Sequence, residues 1–88
     1  MWEEMGVNID PEEPVYVIGI VSRIVRLPVW TLRELDKQGV VHPQRINRKT
    51  RCYSLKDVKR LEYIRYLITE RHVNIHGIKI ILEMETRK

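Results

Sequence analysis

The chain has 88 residues, with 16 Lys and Arg against 12 Asp and Glu, a net charge of +4, and a single cysteine. That length allows one domain, which buries only about 60–65% of its unfolded surface, and leaves no room for a separate cofactor domain. No run approaches the ~20 apolar residues of a membrane span, no charged-then-apolar leader opens the chain, and one cysteine excludes an internal disulfide framework, so the expectation is a cytoplasmic protein.

The charge is unevenly spread. Residues 1–14 hold Glu3, Glu4, Asp10, Glu12 and Glu13 and no base, so the rest of the chain carries +9. Residues 42–60 contain Arg45, Arg48, Lys49, Arg51, Lys56, Lys59 and Arg60 against Asp57 alone, which is +6. Charge packed this densely favours a polyanion partner. Residues 1–14, with Pro11 and Pro14 and no apolar period, read as an acidic flexible arm. Such an arm either has no role or lies over the basic face and weakens binding.

Residues 15–17, β-branched and aromatic, are either an extended lead-in or a strand pairing with a later wing. A first helix covers 18–25, with Ile20, Val21, Ile24 and Leu27 inward and Ser22, Arg23 and Arg26 toward phosphate. The turn Arg26-Leu27-Pro28 leads into a second helix that ends at Gly39, where a left-handed residue suits a helix end. Val29, Leu32 and Leu35 recur at steps of three and pack inward. Trp30, Arg33, Glu34 and Lys37 share another side, which holds groups able to touch bases and phosphates. The segment 40–53 makes a two-stranded wing with a mobile polar tip at 47–50, which lacks the Asn-Gly or Asp-Gly of a tight hairpin.

Ser54 and Asp57 form an N-terminal box for a third helix reaching about Glu70, with Leu55, Val58, Leu61, Ile64 and Leu67 or Ile68 on its inner face. Asn74 caps a fourth helix whose inner face is Ile75, Ile78, Ile81 and Leu82. Gly77 inside it costs about 1 kcal/mol against alanine, unless another helix needs the room. Ile80 and Met84 fall outside that face, four apart, as a dimer or partner seam. The fold class is therefore mainly α: a winged helix-turn-helix of four helices and a small wing, filling residues 15–88.

Other chemistry is weakly supported. His72 and His76 have a zinc-compatible spacing but no further ligand nearby, so no metal is expected. Cys52, between Arg51 and Tyr53, is either a redox handle on a basic wing or a small apolar strand residue. Ser54 suits a cap better than a nucleophile. No glycine cluster or poised carboxylate pair is present, so neither a cofactor nor an enzymatic reaction is expected.

Several motifs in order resemble the MerR family. Ile18-Gly19 opens the first helix, Thr31-Leu32-Arg33 and Asp36-Lys37-Gln38-Gly39-Val40 match its T-[LI]-R-x-x-[ED]-x-x-G-L recognition helix, and Tyr53-Ser54-Leu55-Lys56-Asp57-Val58 matches its third-helix opening. Val41-His42-Pro43-Gln44-Arg45 and residues 73–83 are most similar to the heat-shock repressor (HspR-like) branch. The resemblance implies a homodimer, either preformed or assembled only on DNA, bound to an inverted-repeat operator in duplex DNA. It implies repression of chaperone genes, with an Hsp70-type chaperone as co-repressor. It also implies Arg33 on phosphate or a base edge, Trp30, Thr31 and Glu34 beside it in the major groove, wing contacts from Arg45, Arg48, Lys49 and Arg51, and Tyr53 as support at the wing base.

The chain departs from the family at three places. Glu34 and Leu35 stand where an aromatic is usual, Arg26 where the turn usually has glycine, and the wing lacks its glycine. Nothing in the 88 residues corresponds to the long dimerising helix or effector domain of many members, so metal, drug and redox sensing are not carried over. Two other readings stay open: an excisionase-like or architectural factor that bends DNA, and a protein-interaction adaptor using Trp30, Ile80 and Met84.

Overall fold

The structure is a computed structural model and describes residues 10–86. The order is β1 (Tyr16–Val17), α1 (Ile18–Val25), α2 (Val29–Lys37), β2 (Gln44–Ile46), β3 (Thr50–Tyr53), α3 (Leu55–Thr69) and α4 (Ile75–Thr86). β2 and β3 form the expected antiparallel wing, with Arg45 opposite Arg51 and Ile46 opposite Thr50. The free edge of β3 is taken by β1, Tyr16 opposite Tyr53 and Val17 opposite Cys52, so the sheet has three strands in the order β1-β3-β2. Of the two readings of residues 15–17, the strand is the one found. It ties the chain just before α1 to the base of the wing.

The turn between α1 and α2 is built on a left-handed residue. Arg26 sits at φ 59° and its N–H donates to the Ser22 carbonyl, as does the Leu27 N–H at 3.2 Å. The Ser22 hydroxyl donates to the Leu27 carbonyl and closes the turn from the other side. A side chain in this conformation costs about 1–2 kcal/mol that glycine avoids, partly offset by glycine's freedom in the unfolded chain. Arg26→Gly is accordingly expected to raise stability by about 1 kcal/mol, read as a higher urea midpoint at unchanged slope. An unchanged or lower midpoint would count against the strain. Pro28 then caps α2, its carbonyl accepting from Thr31 and Leu32 at 3.0 and 3.2 Å. Gly39 leaves the helix at φ 75°, as the sequence indicates.

One core joins all four helices: Val21 and Val25 of α1, Leu32 and Leu35 of α2, Tyr53 of β3, Val58, Leu61, Ile64 and Leu67 of α3, and Ile78 of α4. The inner face of α1 differs from expectation. Ile20 and Ile24 are 52% and 47% exposed, and Val25 is buried with Val21. Five of the eight residues of α1 are Ile or Val, so apolarity alone does not select a face in two turns of helix; α2 and α3 do.

The helix starts follow the sequence. Ser54 Oγ accepts from the Asp57 N–H and Asp57 Oδ2 from the Ser54 N–H, both at 3.0 Å. Asn74 Oδ1 accepts from the Gly77 N–H at 2.8 Å. A Cβ on Gly77 would fall 2.9 Å from Val73 Cγ1, so this glycine makes room for the cap and its preceding residue rather than for another helix. Residues 1–9 of the acidic arm lie outside the described residues. Its end is held: the Glu13 N–H donates to the Asp10 carbonyl at 3.0 Å, and the Pro11 carbonyl accepts from the Lys56 N–H at 2.9 Å.

Candidate nucleic-acid interface

Burying Thr31, Leu32 and Leu35 turns the opposite side of α2 to solvent. Arg33, Lys37 and Trp30 stand on that side, with Trp30 68% exposed. The wing folds up beside it. Between the two lies a concavity of about 470 Å³ lined by Trp30, Arg33, Glu34, Asp36, Lys37, Arg45 and Arg51. Four of its seven residues are cations, spread over one helix and both wing strands, and the hollow is open to a ligand that carries negative charge on a rigid frame.

Asp36 holds this surface together, and reading the sequence did not single it out. Its side chain is only 13% exposed; Oδ2 accepts from Arg51 Nε at 2.9 Å and from an Arg45 Nη at 3.2 Å, and Oδ1 lies 3.2 Å from His42 Nδ1. One carboxylate thus ties the last turn of α2 to β2, β3 and the segment between. Burial by itself would raise its pKa, but hydrogen bonds from Arg51 and His42, with the charges of Arg51 and Arg45, hold it below the ordinary 3.8. The sequence carried a faint signal. An acid in the last turn of a helix opposes the macrodipole, so Asp36 needs cations from elsewhere in the fold.

The wing tip forms a mirror-image turn. The Lys49 N–H donates to the Ile46 carbonyl at 3.2 Å, and Asn47 and Arg48 sit at φ 55° and 65°. These are the conformations that an Asn-Gly pair would adopt without strain. Here Arg48 takes the glycine position, and the turn presents Arg48 and Lys49, both exposed, at the far end of the basic surface.

Other expected contacts are placed differently. Thr31 is buried, so it packs under the helix and does not reach a groove. Tyr53 is fully buried at the wing base, a support with no exposed atoms to offer DNA. Its hydroxyl has no hydrogen-bond partner among the described residues, and burial, with Asp36 nearby, pushes its pKa up to about 12. Removing an unpaired buried hydroxyl is favourable. Tyr53→Phe is therefore expected to stabilise the fold by about 1 kcal/mol and to leave DNA affinity unchanged; a loss of affinity in a gel-shift titration would reinstate the hydroxyl as a contact. Glu34 lines the concavity, where its carboxylate accepts from Gln38 Nε2 at 2.9 Å. Arg23 is exposed on α1 and does not line the concavity. Cys52 is buried, which makes it the apolar strand residue and not a redox handle.

His72 lies in the α3–α4 break at φ 54° and His76 in the first turn of α4. Among the described residues no three His, Cys, Asp or Glu converge as metal ligands, and no helix is long and apolar enough to cross a membrane.

Comparison with known proteins agrees with this geometry. A putative heat shock protein, HspR, of Streptomyces coelicolor is 36% identical over 76 residues, covering 86% of this chain and 50% of its own. The HTH-type transcriptional regulator TnrA of Bacillus subtilis is 32% identical over 77 residues, covering 88% and 67%. The HTH-type transcriptional regulator GlnR of Bacillus anthracis is 32% identical over 72 residues, covering 82% and 55%. The chain thus spans about half to two thirds of the length of these relatives. The family model described as MerR HTH family regulatory protein matches residues 16–85, from β1 through α4. The helix-turn-helix, the wing braced by Asp36 and the helices behind them all lie inside that match, and the chain belongs to the MerR HTH family of regulatory proteins.

Proposed function

We propose that this protein is a sequence-specific duplex-DNA-binding transcriptional regulator, acting as a repressor, and that it works in the cytoplasm on the nucleoid. The observation that carries this reading is the shared surface of α2 and the wing, where Arg33, Lys37, Arg45 and Arg51 line one concavity and Arg48 and Lys49 extend it. α2 enters the major groove with Trp30, Arg33 and Lys37 toward base edges, while the wing cations hold phosphates on either side. Similarity to a protein named as a heat shock protein favours heat-shock genes as the regulated set, and the resemblance of residues 41–45 and 73–83 to the heat-shock repressor branch adds chaperone genes and an Hsp70-type co-repressor to the reading. A homodimer on an inverted repeat adds a second half-site to the affinity of one small module.

The test is selection from random duplex DNA with the purified protein, read by sequencing. An inverted repeat of fixed spacing is the expected result and hands over the operator. Direct repeats or merely AT-rich sequence would replace the repressor reading with an architectural one. No enrichment, together with binding that does not weaken as salt rises, would sink the DNA reading. Phosphate contacts require log affinity to fall against log salt with a slope of about −0.9 per neutralised phosphate.

A further inference from the structure

A second hollow, larger than the DNA-facing concavity, lies on another flank of α2. It is a cleft of about 670 Å³ between the α1–α2 turn, α2, the end of α3 and the start of α4, a size that suits a small organic ligand. Leu27, Ile68, Val73 and Ile75 give it an apolar lining, and the exposed Trp30 adds an aromatic edge. Its ionisable residues are Arg26, Glu34 and His76. Neither Arg26 nor Glu34 is in an ion pair among the described residues: the Arg26 side chain makes no hydrogen bond, and Glu34 accepts only from the uncharged Gln38. The two opposite charges are also well separated. Arg26 sits in the turn two residues before Pro28, and Glu34 lies six residues beyond Pro28, about 9 Å along the helix. Two amides in the lining are only half used. Asn74 accepts through Oδ1 and Gln38 donates through Nε2, which leaves the Asn74 amide nitrogen and the Gln38 amide oxygen open.

We propose that this cleft binds a short apolar peptide with free ends, its carboxylate at Arg26 and its ammonium group at Glu34. Charge calls for a ligand of both signs, because a simple anion would meet Glu34 and a simple cation would meet Arg26 in the same apolar hollow. Length calls for about three residues: an extended chain advances about 3.3–3.6 Å per residue, so a tripeptide spans the ~10 Å between the two charges. Apolar side chains match the lining of Leu27, Ile68, Val73 and Ile75. The peptide's own N–H and C=O groups need partners once they leave water, and the open amides of Asn74 and Gln38, with the His76 ring, supply them. Hydrolysis of peptide bonds is the class of reaction that produces such a ligand. Trp30 and Glu34 line both this cleft and the DNA-facing concavity. A bound peptide holds Trp30 against itself and away from a groove, and so lowers operator affinity. That coupling, unlike the binding itself, rests on the DNA reading above.

The experiment is a calorimetric titration of the purified chain with trileucine, repeated by fluorescence in a Trp2→Phe background, where Trp30 is the only tryptophan. One site per chain and a shifted Trp30 emission are expected. Triglycine, which lacks side chains, and acetyl-trileucine amide, which lacks both charges, should each bind about tenfold more weakly or worse. Glu34→Gln and Arg26→Gly should each weaken trileucine by about tenfold. Glutamine keeps the shape of glutamate and glycine suits the left-handed turn, so both variants keep the fold. Lys59→Gln, an exposed cation outside the cleft, should change nothing. No binding, an unmoved Trp30, equal binding of the blocked peptide, or variants that bind as tightly as the wild type would overturn the proposal. So would an affinity that falls as protein concentration rises, which would mean that a second copy fills the cleft. Operator affinity is measured alongside, with and without saturating trileucine. A fall of about tenfold is expected, and an unchanged affinity would overturn the coupling. If the chain binds no duplex at all, the DNA reading falls, while the calorimetry still decides the cleft.

Discussion

Asp36→Asn is expected to destabilise the fold by about 1–3 kcal/mol and, at the same time, to raise non-specific DNA affinity at low salt. The two effects have one cause. In the wild type Asp36 holds Arg51 and Arg45 and contacts His42, from a position that is mostly buried. Asparagine keeps the shape and loses the charge, so two guanidinium groups near a low-dielectric boundary lose their counterion. Freed from the carboxylate, they are available to phosphate, and the salt slope should steepen by about 0.9 for each new contact. Specificity should fall, because the wing is no longer fixed against α2. A variant with unchanged stability and an unchanged salt slope would show that Asp36 is incidental. Acid gives an independent check. The folded carboxyl titrates below its ordinary 3.8, so its contribution to stability is fully present above about pH 4 and is lost as pH falls through the lowered value. Asp36→Asn should lack that part of the wild-type acid transition.

Arg33→Ala is expected to lower affinity for the selected operator by roughly 10- to 100-fold, the 1–3 kcal/mol of a good base contact, while non-specific affinity falls only by one phosphate contact at most. Arg33 is exposed on α2 and lines the concavity beside Trp30 and Lys37. Removing it leaves the buried side, Thr31, Leu32 and Leu35, intact, so folding should be unaffected. Titrations on the operator and on mixed-sequence duplex at two salt concentrations separate the cases. Equal losses on both duplexes would mean that Arg33 holds backbone and reads no base.

How far each feature was legible depended on the range of the interaction behind it. The capping box at Ser54 and Asp57 and the Asn74 cap are contacts three residues long, and both are found where the sequence places them. The α2 face was legible at Leu32 and Leu35, which are spaced among polar residues that mark the other side, whereas Val29, also expected inward, is only half-buried and Thr31 is buried instead. On α1 the same reasoning misplaced Ile20 and Ile24, since a helix apolar on most sides carries no periodic contrast. Among the candidate site residues, the cations Arg33, Lys37, Arg48 and Lys49 are exposed. Thr31, expected in the groove, is buried, because fitting a family motif does not reveal every scaffold residue, whereas Tyr53 is buried at the wing base, the supporting place that the resemblance implies.

The sequence by itself determined the local architecture and the sign of the partner: where helices start and stop, that a basic stretch follows α2, and that a polyanion is the natural ligand. These rest on backbone chemistry and charge within a few residues along the chain. Tertiary structure alone decided how the pieces meet. It brought Asp36 to Arg45 and Arg51, nine and fifteen residues away, and added β1 to the wing. Those contacts have no period and no fixed spacing, because they arise only when separate elements fold against a common core.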